Sequence, residues 1–255
     1  MNFAGKSVVI TGASRGIGAE IARGFASEGA YVTVNFLKNE NAAKIIVAEC
    51  QAAGGDAVAI KADVTERSQA FALVEQAIDA FGKIDVLINN AFRPYQFDPE
   101  QRKLHWELQW TDYQAQFEGA VKSAHCLAQA VLPSMLKRAE GAIVNIATDL
   151  IARPVVPYHD YTTAKAALVG YSRNLAAEVG PMGIRVNTVA PGLVYPTDSS
   201  SSTKEDVKDT IVSQTPLRRI ARPEDVVGPV LFLASDWAKF LTGQTLYVDG
   251  GLIMS

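Results

Sequence analysis

Short apolar runs alternate with longer helical patterns along this 255-residue chain, and that alternation leaves few folds open. Strand-like runs are predicted at residues 8–10, 32–34, 57–60, 86–88, 142–146, 185–189 and 245–248. Most of them are apolar on both faces, the pattern of parallel strands covered by helices on each side. Helical periodicity is predicted over 16–27, 41–52, 68–81, 111–137, 158–179 and 223–234. Right-handed crossovers between such units give an α/β, doubly wound, Rossmann-type sheet of seven parallel strands with helices on both faces. A single domain spanning 1–255 is expected. In a sheet of this kind a ligand lies beyond the carboxyl ends of the strands, where the strand order reverses.

Hydrophobic residues make up 48% of the chain and charged residues 20%, the balance of a globular protein with a filled core. The formal net charge of −3 supplies no global positive field, so neither nucleic acid nor an anionic membrane is an expected partner. No apolar run reaches the length of a membrane span. Strand-like sequence begins within a few residues of Met1, which leaves no room for a signal peptide. Cys50 and Cys126 have no CxxC or Cys/His partner spacing, and two free thiols fit a reducing, cytoplasmic location. His105, His125 and His159 are scattered, so no metal site is expected.

Directly after the first strand, residues 11–18 read TGASRGIG. Gly12 permits a tight turn, and Gly16 and Gly18 let backbone approach a ligand without an intervening Cβ. The helix that opens here points free N–H groups outward, a natural seat for a pyrophosphate. A plain strand–helix turn would also use glycine, but its place between first strand and first helix favours a dinucleotide site. Ser14, Arg15 and Ile17 belong to the same turn.

The spacing GxxxGxG, with five further motifs in order, resembles the short-chain dehydrogenase/reductase family over essentially the whole chain. The others are Asp63-Val64, Asn89-Asn90-Ala91, Tyr161-x-x-x-Lys165, Pro191-Gly192 and Val248-Asp249-Gly250-Gly251. Residues 215–251 look most like the branch that reduces 3-oxoacyl thioesters on acyl carrier protein. The resemblance implies a nicotinamide cofactor, with Asp63 accepting from the adenine amino group and Lys165 bonding the nicotinamide ribose. It extends the cofactor cradle to Asn35, Val64, Asn90, Ala91, Pro191, Gly192 and Val194. Members similar to this one pair the helices equivalent to 111–137 and 158–179, so a homotetramer is expected. Ala164, Ala167, Leu168 and Leu175 suit that contact or core packing equally.

An NAD enzyme usually carries an acid at the end of the second strand for the ribose 2′-hydroxyl. Here that position is Phe36, with no carboxylate to repel a 2′-phosphate. Arg15 and Lys38 can supply positive charge, so NADPH/NADP is the expected cofactor; the plain alternative is two solvated surface charges.

Tyr161 and Lys165 are four apart on a helical pattern and share one face. Hydride addition to a carbonyl builds negative charge on oxygen, and a proton must reach it. Moving a phenol pKa from about 10 to about 7 takes roughly 4 kcal/mol of preferential phenolate stabilisation. A nearby ammonium can provide much of that. Alone, such a pair would be read as a surface contact; downstream of a dinucleotide turn it reads as catalytic.

This chain departs from the family at four places. Thr148 stands where a serine usually bonds the substrate oxygen, offering the same hydroxyl on a stiffer side chain. Ala120 stands where an asparagine usually supports a water chain to the lysine; either a backbone carbonyl near Gly119 holds that water, or proton supply is slower or turnover is lost. Phe92 replaces the glycine that normally follows Asn-Asn-Ala. Pro196 occupies a threonine position, and Thr197 follows within reach of the carboxamide or pyrophosphate.

Two stretches fall at substrate-loop positions, about 92–110 and 193–215. The first holds Phe92, Tyr95, Phe97, Trp106 and Trp110, which suit an apolar pocket wall or a subunit contact. The second includes four consecutive serines within 198–203, either a plain surface loop or a lid. The expected activity is NADPH-dependent reduction of a ketone, foremost a 3-oxoacyl thioester on coenzyme A or acyl carrier protein. Thr148 would polarise the oxygen and Tyr161 protonate it. Other small ketones, quinones or sugars stand as alternatives, as does a non-catalytic NADP-binding sensor.

Overall fold

A computed structural model describes residues 1–254. Seven strands form one parallel sheet: β1 (Ser7–Ile10), β2 (Tyr31–Phe36), β3 (Asp56–Lys61), β4 (Val86–Asn89), β5 (Gly141–Ile146), β6 (Ile184–Pro191) and β7 (Thr245–Val248). Their order is β3-β2-β1-β4-β5-β6-β7, so the winding reverses between β1 and β4. The helices are α1 (Gly16–Ser27), α2 (Glu40–Ala52), α3 (Arg67–Phe81), α4 (Trp110–Phe117), α5 (Ser123–Leu136), α6 (His159–Val179), α7 (Glu205–Gln214) and α8 (Pro223–Ala234).

Strand periodicity divides the core in two. Val8 and Ile10 point to one face of the sheet, where α1, α2 and α8 cover them. Val9 points to the other, into side chains from α3, α5 and α6. Both faces are dry, which is why the central strands carry apolar residues at consecutive positions. Ala164, Leu168 and Leu175 of α6 are buried within this one chain, so they serve the core, and Ala167 is half-buried.

Two elements differ from expectation. The helix predicted over 111–137 is interrupted by a π-turn at Glu118–Lys122. The Ser123 hydroxyl donates to the Gly119 carbonyl at 2.6 Å within this turn. A Cβ on Gly119 would sit 2.6 Å from the Arg93 backbone nitrogen, so glycine is what lets the 92–97 segment press onto the turn. Helix α7 lies inside the stretch expected to be loop. Its mean character is polar, and its apolar side is narrow.

A buried polar chain ties the middle of the sheet to α6. The Asn89 amide donates to Asn145 Oδ1 at 2.7 Å, the Asn145 amide to Ser172 Oγ at 2.7 Å, and Ser172 Oγ to the Leu168 carbonyl at 2.7 Å. Removing its centre leaves a buried donor and acceptor without partners, each costing about 1–3 kcal/mol. Asn145→Val is therefore expected to lower Tm by several degrees, read by calorimetry; an unchanged Tm would show the chain to be dispensable.

Candidate active site

The carboxyl ends of β1 and β4 meet at the glycine turn. Asn90 Nδ2 donates to the carbonyls of Thr11 at 2.9 Å and Gly12 at 3.2 Å. Thr11 Oγ1 accepts from the backbone of Asn90 and Ala91 in return. From β2, Asn35 Oδ1 accepts from Gly12 N at 3.2 Å. Gly12 and Gly16 have φ of +61° and +54°, the left-handed region that glycine enters without steric cost. A Cβ on Gly18 would lie 2.6 Å from Asn90 Nδ2 and from the Gly12 carbonyl. Arg15, the residue before α1, supplies no side-chain cap, so the first-turn N–H groups face outward. This cradle fits a pyrophosphate.

A cavity of about 840 Å³ runs from the turn along the carboxyl edge of the sheet. Every residue that the sequence marked for cofactor or chemistry lines it. At one end are Ser14, Ile17, Phe36, Lys38, Asp63 and Val64; the middle holds Asn90, Ala91, Pro191, Gly192, Val194 and Thr197; Thr148, Tyr161 and Lys165 close the other end. Thr197 packs beside Gly16, on the pyrophosphate side. Arg15 pairs with Asp198 at 2.5 Å, both about two-thirds exposed. Asp63 accepts from the backbone and hydroxyl of Thr65, which fixes the carboxylate at the end of β3.

Thr148 follows β5 in extended conformation and accepts from Leu150 N at 3.4 Å. Tyr161 and Lys165 lie one turn apart at the start of α6, both buried. Lys165 Nζ donates to the Ile146 carbonyl at 2.6 Å, and burial pushes its pKa down to about 8. Burial holds the Tyr161 phenol well above its ordinary range; the nearby Thr148 hydroxyl works against that, and the Asp149 carboxyl works with it. Ala120 is buried in the π-turn and offers no side-chain amide to the lysine.

The aromatic stretch splits. Phe92 and Phe97 line the cavity, and the rings of Tyr95 and Phe97 each lie 5.1 Å from that of Tyr161. Trp106 and Trp110 are exposed. Residues 96–97 and 199–203 are laced together: Phe97 N donates to the Ser199 carbonyl at 3.0 Å, and Thr203 Oγ1 to the Phe97 carbonyl at 3.2 Å.

Sequence reasoning missed Asp149, Tyr158, Val207 and Ile211, all of which line the cavity. The spacing of Val207 and Ile211, four apart behind the acidic Glu205-Asp206, is the signal that could have found α7. Asp149 directly follows Thr148 in the chain. It is 5% exposed, and burial together with the nearby Asp249 charge pushes it up to about 7. An unfolded aspartate titrates near about 3.9. Between those values the folded chain holds a proton that the unfolded chain releases, so this group makes stability fall as pH rises from about 4 to about 7. Asp149→Asn is expected to gain stability relative to the parent over that window, by up to about 4 kcal/mol. Denaturant unfolding at pH 5 and pH 8 checks it, and a gap that does not widen with pH would refute it.

Comparisons with known proteins agree with this geometry. The family model described as Enoyl-(Acyl carrier protein) reductase matches residues 12–253. The 3-oxoacyl-[acyl-carrier-protein] reductase of Staphylococcus epidermidis is 36% identical over 249 residues, covering 98% of this chain and 99% of that protein. The 7alpha-hydroxysteroid dehydrogenase of Escherichia coli is also 36% identical, covering 97% of this chain and 94% of its own length. A solved 7 alpha-hydroxysteroid dehydrogenase complexed with NADH and 7-oxo glycochenodeoxycholic acid superposes with a TM-score of 0.89 at 36% identity, over 98% of this chain and 95% of that one. A glycine-cradled nucleotide cleft and a tyrosine–lysine pair on one continuous cavity, with these relatives, make the chain an oxidoreductase of the short-chain dehydrogenase/reductase family.

Proposed function

We propose that the chain is an NADPH-dependent reductase of ketone carbonyls, with a 3-oxoacyl thioester as its substrate and Thr148, Tyr161 and Lys165 as its catalytic residues. The observation that carries the reading is the meeting of those three side chains at the far end of a cavity that begins at the glycine turn. NADPH, when bound, supplies the hydride. Ser14, Gly16, Ile17, Gly18 and Thr197 would hold the pyrophosphate, Asp63 and Val64 the adenine, and Asn90, Ala91, Lys165, Pro191, Gly192 and Val194 the nicotinamide half.

Thr148 donates to the substrate oxygen and aligns it. Tyr161 passes its phenolic proton to that oxygen as charge develops there. Lys165 supplies the positive charge that makes the phenol a usable acid, which its burial beside the ring intensifies. The aromatic walls exclude water from the transfer. With Phe36 at the end of β2, Arg15 and Lys38 are left to hold a 2′-phosphate. The Arg15–Asp198 pair is exposed, and such pairs are worth at most about 1 kcal/mol, so a phosphate can take the arginine at little cost.

The staphylococcal relative and the motif pattern of 215–251 support the thioester, delivered on coenzyme A or acyl carrier protein. A second reading, a bulkier alicyclic ketone, is favoured by the aromatic wall at Phe92, Phe97 and Tyr158 and by equal similarity to the hydroxysteroid dehydrogenase. The pairing of the helices equivalent to 111–137 and 158–179 in similar members supports assembly as a homotetramer, and the exposed Trp237 and Phe240 offer apolar surface for contact between copies.

NADPH oxidation with acetoacetyl-coenzyme A and a panel of cyclic ketones tests the reaction. Tyr161→Phe is expected to cut turnover by about 10²-fold or more while cofactor affinity, read by fluorescence titration, holds. Thr148→Ser should keep activity and Thr148→Val lose it; like behaviour of the two would remove the hydroxyl from the mechanism. Phe36→Asp should weaken NADPH binding by about tenfold through one added repulsion at the phosphate. Unchanged NADPH and NADH constants in that variant would refute the cofactor assignment.

A further inference from the structure

Asp149 lies beside Thr148, and a role for it rests on the reading of Thr148, Tyr161 and Lys165 as a carbonyl-reducing centre. Thr148 Oγ1 stands among three hydrogen-bonding groups. It accepts from Leu150 N at 3.4 Å, it donates to Asp149 Oδ1 at 3.4 Å, and it stands near enough to the Tyr161 phenol to favour that phenol's ionisation. A hydroxyl has one proton and two lone pairs, and an ionised carboxylate can only accept. Against a charged Asp149 the threonine must turn its proton toward that carboxylate. It then has none for a substrate oxygen and draws the phenol proton toward itself. A neutral Asp149 donates instead, and both the threonine proton and the phenol proton are free for the substrate.

The surroundings hold this carboxyl in place. Its Oδ2 would lie 3.2 Å from a Cβ on Gly192, and Asp249 flanks the same glycine from the turn after β7. Asp249 is occupied elsewhere, accepting from Gly251 N and Ile253 N. Arg153, on the loop that Asp149 opens, favours its charged form, yet its guanidinium is bonded to Gln214 and the Leu252 carbonyl. From α6 the group that faces Asp149 is Tyr161.

We propose that Asp149 is a positioning residue whose protonation sets the direction of the Thr148 proton, so that the centre reduces carbonyls when Asp149 is neutral and stalls when it is charged. Burial and the Asp249 charge bring the change into the neutral range, at about 7.

The test is kcat/KM against pH for NADPH-driven reduction of the best ketone from the panel above. The parent should fall about tenfold per pH unit above the midpoint. In Asp149→Asn, which carries a permanent donor, the fall should move up by at least about one pH unit. A fall left where it was overturns the proposal. Should that variant fail to fold, Asp249→Asn decides: loss of the neighbouring charge must move the fall to lower pH, and an unmoved fall overturns the proposal. A parent inert toward every ketone sinks the underlying reading, and the inference with it; an active parent with an unmoved limb sinks the inference alone.

Discussion

The amide of Asn90 reaches from the end of β4 to the carbonyls of Thr11 and Gly12, and the threonine hydroxyl answers by accepting from the backbone that follows β4. These bonds cross the place where the sheet changes winding direction. They hold the glycine turn in a shape that lateral strand pairing cannot provide, because both segments have already left the sheet. The cavity floor, the start of α1 and the spacing between cofactor cleft and acid–base end all follow from that clasp.

A second consequence of geometry is electrical. Lys165, Tyr161 and Asp149 sit within one apolar enclosure, and burial drives each toward its neutral form: the ammonium down, the phenol and the carboxyl up. In water these groups would differ widely in the pH at which they ionise. Inside the enclosure lysine and aspartate both approach neutrality as the pH at which they change charge. Small displacements of a charge nearby then redistribute protons among them, which is the condition a proton-handling site requires.

Much of this was legible in the residues alone. Consecutive apolar positions announced parallel strands, and glycine spacing announced the turn, because both patterns are imposed by local sterics that act the same way in any fold. All the cofactor and acid–base candidates line one cavity for a related reason: parallel winding delivers every strand's carboxyl end to the same edge. The π-turn was not legible. Its Gly119 lies against Arg93, a contact between segments that local periodicity does not register. Helix α7 escaped because its apolar positions are few and most of its surface stays exposed. Asp149 escaped because aspartate after a β-strand ordinarily means a solvated turn, and only the neighbouring Asp249 and the enclosing walls make it something else.

The lacing of residues 96–97 to 199–203 combines a main-chain bond from Phe97 N to the Ser199 carbonyl, a hydroxyl bond from Thr203 to the Phe97 carbonyl, and a side-chain bond from Ser202 Oγ to Gln96 Oε1. Phe97 and Ser199 take part through main-chain atoms alone, so the lacing is indifferent to the side chains at those two positions. The two walls can therefore exchange residues, and with them the shape offered to an incoming molecule, while staying joined and while the strand ends beneath remain untouched. A scaffold divided in this way lets selection alter diet without disturbing digestion.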